Sequence, residues 1–140
     1  MIQRQQTLWL LLATVCSVLT FKFSFYAGEY VEEGTTTSVF KELDAASNLF
    51  LLVLTGASIF MSAIAIFLYK DRKTQLRLTL AVIVVSVIIL ILYFKEVQKF
   101  QTGNFSLTAL FAGAILVGYI MAALGIRRDQ KLVKSLDKLR

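Results

Sequence analysis

Fifteen lysines and arginines, nine carboxylates, a single cysteine and no histidine are the groups of this 140-residue chain that could do chemistry. Without an imidazole there is no zinc site of Cys/His type, no histidine-ligated haem, no Ser-His-Asp or Cys-His arrangement and no switch near neutral pH. Cys16 has no partner for an intramolecular disulfide, and among Thr14, Val15 and Val18 it reads as a small buried hydrophobe. Bulky Val15 also makes Ala13-Thr14-Val15-Cys16 a poor lipoprotein cleavage box. The cluster Glu29, Glu32 and Glu33 would attract a divalent cation, but it lacks the spaced oxygen ligands of a calcium loop, so solvated charge is the expectation. There is no Gly-rich phosphate loop and no nucleophile elbow. The chain is therefore expected to be no enzyme, with no cofactor and no metal.

What remains is the distribution of charge around very apolar segments. Apolar residues make up 57% of the chain and the mean hydropathy is +0.71, whereas a soluble domain is about 45–50% apolar. A membrane-crossing helix needs roughly 20 mainly apolar residues. Four segments meet that length, at about 8–26, 45–69, 78–94 and 106–126. The third, from Leu80 to Leu92, has one polar side chain and no polar face, which suits lipid. Its β-branched residues would favour a strand in water, yet in hydrocarbon the backbone must satisfy itself within the segment, so a helix is expected. A cleaved signal peptide is disfavoured for the first span, because Phe23-Ser24-Phe25-Tyr26 offers no small-x-small site. The second span, with 25 residues, would extend about 37 Å against a hydrocarbon core of about 30 Å, and so should tilt or project.

The predicted fold is an all-α membrane protein, a single four-transmembrane-helix bundle over 1–140. It has an outer loop at 27–44, a basic loop at 70–77 and a tail at 127–140. Gly34 and the Thr-rich stretch after it would turn a small hairpin in the outer loop. Leu132, Val133, Leu136 and Leu139 share one face of the tail, which predicts a short amphipathic helix lying on the membrane surface or docking on a protein.

Eleven of the fifteen basic residues fall on one side of this layout: Arg4, the 70–77 loop with Lys70, Arg72, Lys73 and Arg77, and the tail beginning at Arg127 and Arg128. With Asp71, Asp129 and Asp137 included, the net charge of +6 divides into +8 on that side and −2 on the other. The positive-inside rule then places both termini in the cytoplasm. Because the basic residues are explained by topology and by attraction to acidic lipid headgroups, at about 1 kcal/mol each near the surface, nucleic acid is not an expected partner. Trp9, Tyr26, Tyr30, Tyr69 and Tyr93 fall near span ends, where amphipathic rings anchor at headgroup level.

Small residues predict which helix faces meet, since close backbone approach replaces the hydrophobic drive in lipid. Strips run through Ala13, Ser17, Thr20 and Ser24; through Thr55, Ser58, Ser62 and Ala65; and through Ala114, Gly118, Ala122 and Gly125. Ser17, Ser62, Gly118 and Ala122 are the candidate packing positions. The third span carries almost no such strip, so tight contacts are expected among the first, second and fourth, with the third more exposed to lipid. No proline breaks a span, and no ionisable residue occupies the central part of one, which argues against an ion or proton pathway.

Two stretches resemble a known family. Met1-Ile-Gln-Arg-Gln-Gln-Thr-Leu-Trp-Leu-Leu-Leu-Ala13 is similar to the opening of a group of small bacterial inner-membrane proteins classed as a domain of unknown function. Phe67-Leu-Tyr-Lys-Asp-Arg-Lys-Thr-Gln-Leu-Arg-Leu78 is similar to that group's basic loop between the second and third helices. The resemblance implies a four-span protein of the bacterial cytoplasmic membrane and brings no activity with it. It directs attention to the face shared by Gln3, Arg4, Gln5 and Gln6 and the 70–77 loop. Membrane lipids are the expected partners there, together with a protein docked on the basic cytoplasmic face by an accessory or scaffold subunit. The competing class is a small transporter or lipid-handling protein that uses the bundle interior.

Overall fold

The computed structural model describes the backbone of residues 2–107 and 109–139, and side chains from Gln5 onward within those ranges. Four helices and three strands follow one another as α1 (Ile2–Leu19), β1 (Tyr26–Val31), β2 (Ser38–Leu43), α2 (Leu49–Phe67), α3 (Arg72–Val97), β3 (Phe100–Phe105) and α4 (Ala109–Lys138). The three strands form one antiparallel sheet in the order β2-β1-β3. The expectation of an all-α protein is thus corrected: the fold is mixed. The hairpin at Gly34, whose φ of +98° suits a glycine, is only part of the sheet. The segment 100–105 adds the third strand, because β1 presents a second pairing edge that only a distant stretch of chain can fill.

Three helices are long and apolar enough to cross a membrane: α2, α3 and α4. α1 carries a shorter apolar stretch, Gln5–Leu19. It ends at Leu19, well before Tyr26, because Phe25 and Tyr26 are recruited by the sheet: the Phe25 amide donates to the Leu43 carbonyl, and the Ser106 amide to the Phe25 carbonyl. α2 is shorter than the run that suggested it. Asn48 caps it by accepting from the Phe50 amide at 3.0 Å, and its 19 residues extend about 28 Å, so the expected excess length disappears. α3 begins early, at Arg72, because Asp71 caps it by accepting from the Thr74 amide and hydroxyl at 3.3 and 2.6 Å. Most of the supposed loop at 70–77 is therefore helix. The tail is not a separate surface helix either: α4 continues unbroken to Lys138.

The helices pack in a ring, α1 on α2, α2 on α3, α3 on α4, and α4 back on α1 in the most extensive contact of all. α3 is not left out of the close contacts as expected, although its apolar run is the least buried of the three long helices. Its buried face is Gln75, Thr79, Val82, Ser86 and Tyr93, a polar and small-residue strip that begins ahead of the apolar run. Gln75 donates its side-chain amide to the Ala65 carbonyl of α2 at 3.0 Å. The α1–α4 pair is antiparallel and very close: a Cβ built on Gly118 would lie 3.1 Å from the Ala13 Cβ and 3.4 Å from the Trp9 carbonyl oxygen. Ala122 is fully buried in the same cluster with Leu10, Ala13 and Tyr119. Ser62 meets Thr14 of α1 through their hydroxyls at 2.9 Å. Ser17 is buried and donates to the Ala13 carbonyl.

The sheet closes one end of this ring. Phe25 stacks on Tyr93 with ring centroids 4.5 Å apart, and Tyr26 meets Phe100 and Phe105 edge-on at 5.1 Å each. Tyr26 and Tyr93, expected as interfacial anchors, are instead buried beneath the sheet. Gly28 and Gly103 pair across β1 and β3, and a Cβ on Gly28 would collide with the Thr102 carbonyl oxygen. Gly28→Ala should therefore destabilise the protein by about 1–3 kcal/mol and expose 100–105 to protease. Gly113→Ala, which meets nothing within 4 Å, should hold stability or gain up to about 1 kcal/mol from helix propensity. Thermal unfolding and limited proteolysis in detergent check both.

Candidate functional site

The end of the bundle opposite the sheet gathers the positive charge. α2 ends at Phe67, the chain turns through the Asp71 amide donating to the Leu68 carbonyl, and α3 starts under the Asp71 cap. Thr74, through its side chain and then its amide, holds the Asp71 carboxyl below the usual carboxylate range. Its charge is thus committed to the helix start. Beside this turn stands the extension of α4, whose residues from Lys131 onward are all exposed.

Between the turn and the extension lies an open groove of about 710 Å³, lined by Tyr69, Lys70, Asp71, Arg72, Lys73, Gln130, Val133, Lys134 and Asp137. Four cations face two carboxylates in it, one of them the committed Asp71. Lys70 sits over the Tyr69 ring at 5.9 Å from the centroid. A second open groove of about 540 Å³ adjoins it through Gln130 and Lys134, and is lined also by Leu124, Arg127, Arg128 and Lys131. Among the described residues, none of these cations forms a salt bridge; the one ion pair, Lys99 with Glu96 at 3.1 Å, belongs to the sheet end. Like charges in excess over the carboxylates beside them on a solvent-facing surface create a potential that attracts anionic groups. Lysines act there as point charges, while the arginine forks suit carboxylate or phosphate oxygens.

The candidate residues thus divide. Lys70, Arg72 and Lys73 share the larger groove, and Arg127 and Arg128 the smaller. Arg77 is exposed one turn further along α3 and lines neither. Arg4 lies on α1, but its side chain is outside the described residues, as is Arg140. Among the described residues no group of three or more acidic or cysteine side chains is placed to hold a metal ion.

A family model matches residues 2–139. The chain belongs to the family described as a domain of unknown function (DUF4293). The match spans both grooves, the helical ring and the sheet. No curated protein and no solved structure matches the chain.

The sequence reading places Gln6 on the open polar face and passes over Asp129, yet these two residues hold this end together. Gln6 and Asp129 are both buried, at 4% exposure each, and the Gln6 side-chain amide donates to the Asp129 carboxylate. This bond ties the start of α1 to α4 just below the grooves. A Cβ on Gly125 would lie 2.8 Å from Gln6 Cγ, so the glycine makes room for that side chain. The signal was present: Gly118, Ala122, Gly125 and Asp129 are spaced by four, three and four, so the packing strip of α4 runs on into the charged tail. Asp129→Leu leaves a buried amide unpaired and should cost about 1–3 kcal/mol. Asp129→Asn keeps an acceptor oxygen and should lose less. Thermal unfolding of the two variants beside the parent chain checks the difference.

Proposed function

We propose that this protein is a non-catalytic accessory or scaffold subunit of the bacterial cytoplasmic membrane, and that its basic end docks an acidic surface of a partner protein. In this reading the chain crosses the membrane four times with both termini in the cytoplasm. The exposed residues Leu8, Leu11, Leu12, Val15 and Val18 of α1 support a fourth crossing, since they extend the apolar belt of the three longer helices. The charge division of +8 against −2 supports the orientation. The resemblance of the first helix and the 67–78 turn to small inner-membrane proteins supports the compartment.

The observation that carries the proposal is the groove between the α2–α3 turn and the α4 extension. Lys70, Arg72, Lys73 and Lys134 come from two separate parts of the chain and converge without ion-pair partners. Topology alone requires basic residues at this end, but not a shaped recess between two elements. Acidic lipid headgroups can reach the cations nearest the bilayer, whereas Lys134 and Asp137 stand two to three helical turns past the last apolar residue before the tail, Ile126. A partner in the aqueous phase suits that height better. A route through the bundle interior has less to support it, because the recess between the helices measures about 20 Å³.

Purification from native membranes in mild detergent at low salt, with identification of co-purifying proteins, tests the proposal. A partner should be retained by the parent chain and by Lys95→Glu at the sheet end. It should be lost when Lys70, Lys73 and Lys134 are each changed to Glu, and released from the parent chain by salt as expected for exposed charges. Elution of the protein alone, or retention of the same partner by the triple variant, contradicts it.

A further inference from the structure

Inside the ring, toward the sheet end, six hydroxyl-bearing side chains surround the small cavity: Ser17 of α1 and Thr20 in the turn just after it, Thr55 and Ser58 of α2, and Ser86 and Tyr93 of α3. Four apolar side chains complete its wall. Such a concentration of hydroxyls is unexpected in the middle of helices that are otherwise apolar, and their hydrogen bonds separate them into two groups.

Ser17, Thr20, Ser58 and Ser86 give their protons to backbone carbonyls three or four residues back, at 2.9, 2.6, 2.8 and 2.8 Å. Each keeps lone pairs that can accept. Thr55 and Tyr93 differ. Both are buried, at 3% and 2% exposure, and neither hydroxyl makes a hydrogen bond of good geometry among the described residues, the Tyr93 hydroxyl lying close to that of Thr20 without one. Leaving a buried hydroxyl unpaired is costly, and more so where the surroundings are apolar. The wall therefore presents two donors seeking an acceptor and four oxygens able to accept, all around one cavity.

From this geometry we infer that the cavity is a binding site for a single water molecule. A buried water needs at least about 10–15 Å³ of cavity and two to four polar partners. The cavity of about 20 Å³ has room for one. The water oxygen accepts from Thr55 and Tyr93, and its two protons go to lone pairs of the serines and Thr20. Bound in this way it joins α1, α2 and α3 at the level where the sheet is seated, a cross-link made of hydrogen bonds where lipid supplies no hydrophobic drive between helices. A monovalent cation would fit the volume less well in chemistry: the site offers neutral hydroxyls and no carboxylate.

A crystal structure of the full chain grown from a lipid mesophase, at a resolution that shows ordered waters, should reveal one density peak about 2.8 Å from both Thr55 Oγ1 and the Tyr93 hydroxyl oxygen. A cavity without that peak overturns the inference. In detergent, Thr55→Val and Tyr93→Phe should each lower the melting temperature by about 4 °C. The double variant should fall by less than the sum, because both lose the same water, while Thr55→Ser should melt close to the parent chain. Strict additivity, or a Thr55→Val variant as stable as the parent, overturns it. So does a melting temperature that changes when sodium is replaced by choline at constant ionic strength, which would assign the site to a cation.

Discussion

The contact between α1 and α4 is the constraint on which the rest depends. These helices approach until side chains nearly vanish between them, with Gly118 of α4 against Ala13 and the Trp9 carbonyl of α1. Because the pair is antiparallel, fixing that one register fixes both ends. Toward the sheet it sets where α1 stops and where Phe25 must begin the crossing to β1. Toward the basic end it seats Gln6 in the space left by Gly125 and delivers its amide to Asp129. α4 thereby stays helical past the apolar run and carries Lys134 alongside the α2–α3 turn. Without that continuity the larger groove would have one wall.

The two ends solve different physical problems. At the sheet end the connections are long, and three strands with an aromatic cluster beneath them supply the backbone pairing that loops would leave unmet. Polar side chains reinforce it: Asn48 both caps α2 and donates to Glu96 at 3.0 Å, and Glu96 in turn receives Lys99. That carboxylate raises the Lys99 ammonium above its ordinary value. Glu96 and Lys99 therefore neutralise each other at this end. At the opposite end the connection is a single tight turn, no sheet forms among the described residues, and the cations stand unpaired. One end of the molecule is closed by hydrogen bonds and the other left open with net positive charge.

Much of this was legible in the residues, for reasons that explain where it stopped. The centres of α2, α3 and α4 follow from apolar length alone. Their ends do not, because Asn48 and Asp71 fix them through individual capping bonds that a hydropathy window averages away. Gly34 announces the β1–β2 hairpin, a local event. β3 carries Gly-Asn at 103–104, which reads as a turn; its strand character comes from pairing with β1 seventy residues earlier in the chain, and no local pattern encodes that. The polar stripe of α3 is hard to read from the sequence because Gln75 falls in the charged stretch 70–77, ahead of the apolar run. Asp129 was hidden because a carboxylate among basic residues looks solvated, although its spacing from Gly118, Ala122 and Gly125 already placed it on the packing face.

Both ends of the molecule depend on α1 lying on α4 in this register within one chain. Ala13→Cys combined with Gly118→Cys, in a Cys16→Ser background, tests it directly in native membranes. The Cβ positions, 3.1 Å apart as built, approach the separation of about 3.5–4.5 Å in a disulfide. Mild oxidation should yield an intramolecular bridge, seen as a faster-migrating monomer that reverts on reduction. A pair that stays reduced, or that links two chains into a dimer, would contradict the arrangement from which the ring, the Gln6–Asp129 bond and the groove all follow.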